Sequence, residues 1–360
     1  MRVESEAQLA EAIRDAGGAL AVRGGGTRPV GRSLGAPLEV GISGITLYEP
    51  GALTLVVGAG TPLAEVEAAL AAEGQRLPFE PANWGGVLGV SGESTVGGVV
   101  AANVSGPRRV QAGACRDSLI GVRFVDGRGT VIKNGGRVMK NVTGYDLVKL
   151  MAGSWGTLGV MSEVAFKLLP AAPAQTTLVL DLPAGAAQPA LAAALGSPFD
   201  VSGAGWLPGQ GAVVRIEGLS ESVEYRVGRL EALLAPFGPV RIERDAASAA
   251  IWASLRDLEP FIGKPGDLWR LSVKPSEAPG IVARLGGEVM LDWGGGLIWA
   301  LLPEGSDARA LAAPYSGHAT CMRGSAGVVF EPEPAPIAAL SASLRAQFDP
   351  RGILNPGRMG

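Results

Sequence analysis

Residues 94–106 read STVGGVVAANVSG, and this segment decides the fold that we predict for the chain. Glycine recurs through the surrounding residues 85–160, between short runs of Val, Leu and Ile. A flexible linker does not intersperse its glycines with large apolar residues in this way. Glycine between buried segments indicates backbone that closely approaches another part of the structure or a ligand.

Within this segment, Thr95 is placed to cap a helix whose first turn contains Gly97 and Gly98. A helix N-terminus without side chains in its first turn favours a negatively charged group at close range. Close packing of the helix through its glycines explains the same pattern equally well.

A second glycine-rich motif, RGGGTR (23–28), directly follows a predicted strand. Consecutive glycines can adopt positive φ values and direct successive N–H groups towards an anion such as a diphosphate. The spacing matches neither GxGxxG nor a Walker loop. A plain turn between two strands is the alternative explanation.

Two further motifs lie at the ends of predicted elements. In GACRDSLIG (113–121) we expect an extended segment on which only one of Arg116 and Asp117 faces a ligand, with a surface ion pair as the alternative. In GYDLVKLMAGSWGTLGV (144–160), the glycines around Thr157 would let the backbone lie along a flat ring.

Composition excludes several classes of protein. The chain has 360 residues, of which 47% are apolar and 18% charged, and its net charge of −3 argues against nucleic-acid binding. The chain has a single histidine, His318, which excludes metal sites built from several histidines. We expect His318 to lie on the surface or in a second domain that forms a cap over the first. Cys115 and Cys321 are too few for a disulfide scaffold or an iron–sulfur ligand set. The N-terminus does not resemble a signal peptide, so we expect a cytoplasmic protein.

The pattern of elements predicts an α+β fold. Short strands, a helix capped by Thr61 and Pro62, and a hairpin around DGRG (126–129) precede a proline-rich joint at 168–177. Beyond the joint, alternating strand-like and helical segments predict an antiparallel sheet. We therefore expect a first domain at 1–170, a second at 171–345 and a C-terminal tail at 346–360 that returns to the first domain.

Taken in order, these motifs resemble a known family. With LPFEP (77–81) and KNVTGYDLVKL (140–150), they are similar to the FAD-binding domain of the vanillyl-alcohol oxidase and p-cresol methylhydroxylase (PCMH) type. PRRVQAGACRDSLIGV (107–122) and FDPRGILNPGRM (348–359) more closely resemble the FAD-binding E subunits of bacterial glycolate oxidases.

The resemblance is strong over residues 1–170 and the C-terminal tail, and it rests on order and size alone over 177–345. It implies a two-part PCMH-type FAD-binding domain with a smaller α+β cap domain. It also implies that FAD is bound non-covalently, because RGGGTR lacks the histidine that tethers FAD in some members. No catalytic residue is implied, and no metal ligand. The residues implied for FAD binding are Arg23, Gly24, Gly25, Gly26, Thr27, Ser94, Thr95, Gly97, Gly98, Gly113, Arg116, Asp117, Gly156, Thr157, Gly159, Val160 and Asn355.

The resemblance further implies an FAD-dependent oxidoreductase that acts on CH–OH donors. Such a chain would be the subunit of a glycolate oxidase complex that acts with a second flavoprotein subunit and an iron–sulfur subunit on a small 2-hydroxy acid. The family allows the complex to associate with the inner face of the cytoplasmic membrane. With one histidine, the chain cannot build the histidine-based metal site of related hydroxy-acid dehydrogenases, which favours electron relay over direct oxidation.

Two alternatives stay open. One is a stand-alone FAD-dependent 2-hydroxy-acid dehydrogenase, in which Arg270, Lys274 or Arg323 would bind the substrate carboxylate. The other is a scaffold subunit that has kept the fold and lost flavin.

Overall fold

A computed structural model describes residues 1–136 and 144–359. Strands and helices alternate along these residues in the predicted α+β fold, and the described strands form four sheets. Residues 140–143 of the predicted KNVTGYDLVKL motif lie outside the described part of the chain.

The first sheet is parallel and contains the strand that leads into RGGGTR. Its strands are β1 (Arg2–Val3), β2 (Leu20–Arg23) and β3 (Ala36–Val40), in the order β1-β3-β2. Helix α1 (Glu6–Arg14) connects β1 to β2 and begins where the Ser5 hydroxyl accepts the Gln8 N–H at 3.2 Å. The helix ends with Asp15 as its C-cap, whose N–H donates to the Glu11 carbonyl at 2.9 Å.

A five-stranded antiparallel sheet follows. The strands from here to residue 170 are β4 (Ile45–Glu49), β5 (Thr54–Gly58), β6 (Gln75–Arg76), β7 (Leu119–Val125), β8 (Val131–Gly135), β9 (Val160–Lys167) and β10 (Leu169–Pro170). The sheet has the order β4-β5-β9-β7-β8, while β6 pairs with β10. Strand β5 is buried along its whole length, as its continuous apolar run predicts. Strands β7 and β8 form the predicted hairpin around DGRG.

The helices of this part are short. They are α2 (Leu63–Ala72), α3 (Gly85–Leu88), α4 (Val96–Ala101), α5 (Arg109–Ala112), α6 (Cys115–Ser118) and α7 (Leu147–Met151). The expected cap of α2 by Thr61 is wrong: Pro62 is its N-cap residue, and the Thr61 hydroxyl donates to the Gly58 carbonyl at 2.8 Å. The expectation of an extended segment around Arg116 is also wrong. The Asp117 carboxylate accepts the Ala114 N–H at 2.9 Å and closes the turn of α6.

Residues 174–323 form an eight-stranded antiparallel sheet, as predicted. Its strands are β11 (Ala174–Leu180), β12 (Val201–Leu207), β13 (Gly211–Gly218), β14 (Val240–Arg244), β15 (Asp267–Val273), β16 (Glu288–Asp292), β17 (Leu297–Leu302) and β18 (Gly317–Arg323), in the order β14-β11-β13-β12-β16-β17-β15-β18. The remaining helices are α8 (Ala184–Leu195), α9 (Ser220–Leu234), α10 (Asp245–Asp257), α11 (Ala278–Leu285), α12 (Ala308–Ala312) and α13 (Ala335–Phe348). Short 3-10 helices lie at Pro50–Ala52, Ala235–Phe237, Glu259–Phe261, Pro275–Glu277 and Trp293–Gly295.

The two faces of this sheet pack against different partners. Along β13, Val214 and Ile216 belong to a core with α8 and α9. Val213, on the opposite face, belongs to the core that also contains the apolar residues of the first sheets. Alternate residues of a strand point to opposite faces, so the sheet separates a helix layer from the FAD-binding part predicted from the motifs. Across residues 1–136 and 144–359, every helix is too short or too polar to traverse a bilayer.

A buried ion cluster joins this sheet to the first part of the chain. The cluster consists of Arg76, Glu80, Arg108, Arg215 and Glu217. Both carboxylate oxygens of Glu80 accept from the Arg215 guanidinium at 2.9 Å, and Arg215 is fully buried. Glu217 accepts from Arg108 at 2.8 Å and from Arg76 at 2.6 Å. Burial raises the pKa of Glu80 and of Glu217, but the hydrogen bonds and charges of the surrounding arginines outweigh it and lower both pKa values.

We predict that Glu217→Gln lowers the free energy of unfolding by about 3 kcal/mol or more, because it leaves buried guanidinium charge without its partner. The folded-state pKa values of both carboxyls lie below their unfolded values, so their contribution to stability is complete above about pH 4.3 and is lost as the pH falls below it. The variant should therefore lose less stability than the wild type between pH 7 and acid pH. Urea unfolding followed by tryptophan fluorescence at several pH values measures both effects.

The matched control is Glu224→Gln, which removes the partner of Arg244 from a solvent-exposed ion pair. Exposed pairs contribute little, so this variant should unfold like the wild type. Equal destabilisation by the two substitutions would show that the buried ion cluster does not hold the sheet in place.

Candidate cofactor site

A cleft of about 380 Å³ lies between the RGGGTR loop, helix α4, the loop before β9 and the C-terminal tail. Segments that are far apart in sequence supply its walls. The predicted site residues that line it are Arg23, Gly24, Gly25, Gly26, Thr27, Thr95, Gly97, Gly98, Gly156, Gly159, Val160 and Asn355. The structure thus brings together three of the glycine motifs and the tail.

The three glycines of RGGGTR serve different purposes. Gly26 has a φ of +71°, and a Cβ at this position would meet no atom within 4 Å. A Cβ at Gly24 would clash with the Thr95 side chain, and one at Gly25 would clash with the Glu93 carbonyl. Positive φ is therefore confined to Gly26 in this motif, and the expectation of consecutive positive values is wrong. Gly24 and Gly25 are needed because the loop packs against the segment that precedes α4.

The two glycines of helix α4 have different surroundings, one suited to close packing and the other to an anionic ligand. The Thr95 hydroxyl accepts the Gly98 N–H at 3.4 Å, which confirms the predicted cap. A Cβ at Gly97 would lie 2.8 Å from the Ala59 Cβ, and the Gly97 N–H donates to the Ala59 carbonyl at 2.7 Å. Gly97 therefore allows close packing on the end of β5. Gly98 instead faces the guanidinium of Arg28.

Arg28 is a cleft residue that the sequence analysis did not single out. It is 8% exposed, and it donates to the Ala82 carbonyl at 3.2 Å and to the Thr27 hydroxyl at 3.4 Å. Its buried Nε has no hydrogen-bond partner, and no carboxylate pairs with the guanidinium within the described residues. Burial lowers the pKa of Arg28 to about 10, so it stays charged at neutral pH.

Arg358 places a second guanidinium at the cleft. It donates to the Val30 carbonyl at 3.1 Å and to the Arg28 carbonyl at 3.2 Å, and it lies over the Trp155 ring. Burial lowers the pKa of Arg358. In the part of the chain that the structure describes, no carboxylate forms an ion pair with Arg358 or with Arg28. Two cations without carboxylates in an apolar, glycine-lined cleft suit an anionic group such as a diphosphate. The position of Arg28 at the end of RGGGTR was the available sequence signal.

Asn355 holds the tail against the cleft. Its Oδ1 accepts from the Val22 N–H at 2.7 Å and from the Ser33 hydroxyl at 2.8 Å, and its Nδ2 donates to the Trp155 carbonyl at 2.9 Å. Its φ is +47°, so the chain turns here. Asn355 thus ties β2 to the loop at Trp155 and completes one wall.

The other predicted site residues lie outside the cleft lining, namely Ser94, Gly113, Arg116, Asp117 and Thr157. Asp117 forms a surface ion pair with Lys149 at 3.3 Å, which favours the alternative explanation of that motif. Thr157 donates to the Ser154 carbonyl at 2.7 Å, and the Ser94 carbonyl accepts the Leu63 N–H at 2.7 Å. A role for these residues in cofactor binding stays a prediction.

The three cap residues proposed for a substrate carboxylate differ in their surroundings. The Arg323 guanidinium donates to the carbonyls of Val87, Lys264 and Gly266, and Lys274 is exposed. Arg270 lies on β15 against tryptophan rings and forms no hydrogen bond through its guanidinium with the described residues.

Within residues 1–136 and 144–359, no three His, Cys, Asp or Glu side chains lie close enough to hold a metal ion.

Known proteins match this chain at the level of domain, sequence and fold. Residues 1–135 match a family described as an FAD binding domain. Glycolate oxidase subunit GlcE of Escherichia coli (strain K12) is 37% identical over 318 residues, which cover 88% of this chain and 84% of that protein. Glycolate oxidase subunit GlcD of Bacillus subtilis (strain 168) is 42% identical over 86 residues, which cover 24% of this chain and 18% of that protein. A solved alkyldihydroxyacetonephosphate synthase shares the fold with a TM-score of 0.71 at 15% identity, covering 99% of this chain and 76% of that one.

These matches confirm several predictions made from the sequence. FAD is the cofactor, the FAD-binding part has the PCMH-type fold, and the chain is an FAD-dependent oxidoreductase. The cleft fits this cofactor, because Arg28 and Arg358 supply the positive charge that its diphosphate needs. The chain belongs to the family of glycolate oxidase subunits GlcE.

Proposed function

We propose that the chain is the non-covalent FAD-carrying subunit of a glycolate oxidase complex that oxidises glycolate, a CH–OH donor, to glyoxylate. The observation that carries this proposal is the identity to a GlcE subunit over most of both chains. FAD supplies a centre that takes up two electrons from the substrate and releases them one at a time.

We propose the cleft as the place where FAD binds. Arg28 and Arg358 would neutralise the diphosphate, and Gly26 would let the RGGGTR backbone approach it. Among the described residues that line the cleft there is no His, Cys or Tyr side chain, which supports non-covalent binding. Cys115 is fully buried outside the lining, and burial raises the pKa of its thiol far above the usual value, so it is unreactive.

Partners follow from the chemistry of electron release. The chain contains two cysteines, too few to ligate an iron–sulfur cluster. We therefore propose that electrons leave through a second flavoprotein subunit related to GlcD and an iron–sulfur subunit. We also propose a cytoplasmic location, with the complex associated with the inner face of the cytoplasmic membrane.

We predict that Gly26→Val abolishes FAD retention. A valine at a φ of +71° is strained. Gly26 lines the cleft and no protein atom lies within 4 Å of an added Cβ, so the valine side chain would occupy cleft space. The flavin absorbance per chain of the purified protein should fall by about tenfold or more.

The matched control is Gly209→Val, in the turn between β12 and β13. Gly209 has a φ of +75° and also meets no atom within 4 Å, so it imposes the same backbone strain away from the cleft. This variant should keep its FAD. If Gly26→Val retains as much FAD as Gly209→Val, the cleft is not the FAD site.

We predict that the tagged chain purifies with both partner subunits when the three are produced together. The complex should reduce an artificial electron acceptor when glycolate is added, and it should show iron–sulfur absorption beside that of flavin. The control is the same preparation without the tagged chain, which should lack the activity.

A chain that purifies alone, with flavin that glycolate reduces directly, would contradict the complex and support a stand-alone 2-hydroxy-acid dehydrogenase. A chain that cannot be loaded with FAD at all would support a scaffold subunit.

A further inference from the structure

Two arginines from different parts of the chain meet at one tryptophan. Arg109 begins helix α5 in the FAD-binding part, and its guanidinium carbon lies 4.3 Å from the centre of the Trp293 ring. Arg270 lies on β15, and its guanidinium carbon lies 5.3 Å from the centre of the same ring. The Trp293 Nε1–H donates to the Gly106 carbonyl at 3.1 Å, which fixes the ring between the two parts.

The surroundings of Arg270 show which face of the sheet it occupies. It is directly opposite Trp299 on β17 and Thr320 on β18, and directly opposed residues share a face. His318 lies two positions before Thr320 and therefore on the same face. This is the face turned towards the FAD-binding part, because Trp299 packs edge-on against Trp84 with ring centres 5.6 Å apart.

The described carboxylates near this face do not pair with its two guanidiniums. Asp117 favours the charged form of Arg109, but its ion pair is with Lys149. Within the described residues, neither guanidinium forms a hydrogen bond or an ion pair. Asp292 is the nearby carboxyl that favours the charged form of Arg270, but burial raises the pKa of Asp292 to about 8, so it is mostly neutral at pH 7. Burial, together with the charge of Arg109, lowers the pKa of Arg270 to about 10, which still leaves it charged.

His318 does not alter this balance. Burial and the charges of Arg270 and Arg109 lower its pKa, so the imidazole is neutral at pH 7. Glu331 acts on His318 in the opposite direction, but it is paired with Arg309, so the unpaired charges on this face, among the described residues, are the two guanidiniums. A desolvated cation without a partner is unfavourable, and an anion that pairs with it removes that cost.

We propose that Arg109 and Arg270 form a binding site for the carboxylate of a small organic acid. A planar guanidinium pairs with a carboxylate through two parallel hydrogen bonds, and both guanidiniums lie beside the Trp293 indole. If the proposed function holds, on which this identification rests, that acid is the 2-hydroxy acid. The chain then binds its substrate itself, with one arginine from each part.

The test measures binding of oxalate, a two-carbon acid without a C–H bond to oxidise, to the FAD-loaded chain by calorimetry and by tryptophan fluorescence. Oxalate should bind to the wild type, whereas glycolamide, which lacks the negative charge, should not. Arg109→Gln and Arg270→Gln should each raise the Kd for oxalate about tenfold or more, because each removes a charge-assisted pair of hydrogen bonds. Arg270→Lys keeps the charge and should have a smaller effect.

Arg244→Gln is the matched control, since it removes an exposed guanidinium on β14 that pairs with Glu224. It should bind oxalate like the wild type. The proposal is overturned if the wild type does not bind oxalate, if the two arginine variants bind it as tightly as Arg244→Gln, or if sulfate binds as tightly as oxalate. A chain that keeps FAD and its partner subunits but does not bind oxalate overturns this site and leaves the proposed function intact. A chain that cannot be loaded with FAD but binds oxalate overturns the proposed function and leaves this site intact. Tryptophan fluorescence still measures oxalate binding in such a chain.

Discussion

The buried ion cluster is the interaction on which the arrangement of this molecule depends. Its two carboxylates, Glu80 and Glu217, come from the two sides of one contact and share three guanidiniums away from water. Such a cluster is stabilising only when each carboxylate lies within hydrogen-bonding distance of its guanidiniums, because the attraction must outweigh the cost of removing the charges from water. We therefore expect it to favour one way of packing the eight-stranded sheet against the FAD-binding part.

Both proposed ligand sites adjoin this cluster along the chain. Glu80 lies two residues before Ala82, whose carbonyl accepts from Arg28 in the cleft. Arg108 immediately precedes Arg109 at the proposed carboxylate site. The positions of these arginines thus follow from the same contact. Within the described residues, the arginines of the cluster pair with Glu80 or Glu217, whereas Arg28, Arg109, Arg270 and Arg358, which we propose as ligand-binding residues, form no ion pair with a carboxylate.

Local patterns predicted much of the cleft and of the sheet beside it, because glycine motifs, caps and tight turns depend on neighbours that are close in sequence. The cap at Thr95 and the hairpin at 126–129 are examples. The reason for Gly25 was wrong, since the clash that excludes a side chain there comes from Glu93, and no local pattern reports that contact. Arg109 was missed for the same reason, because its meaning depends on Trp293 and Arg270. The domain boundaries at 170 and 345 stay predictions.

The tail at Asn355 connects the structure to the order of protein synthesis. Its side chain joins Val22 and Trp155, although these residues precede it by 333 and 200 positions. A nascent chain that has already folded its first two sheets still lacks this wall until the tail leaves the ribosome. If FAD binds in this cleft, as we propose, its durable capture follows synthesis of the eight-stranded sheet and of the tail.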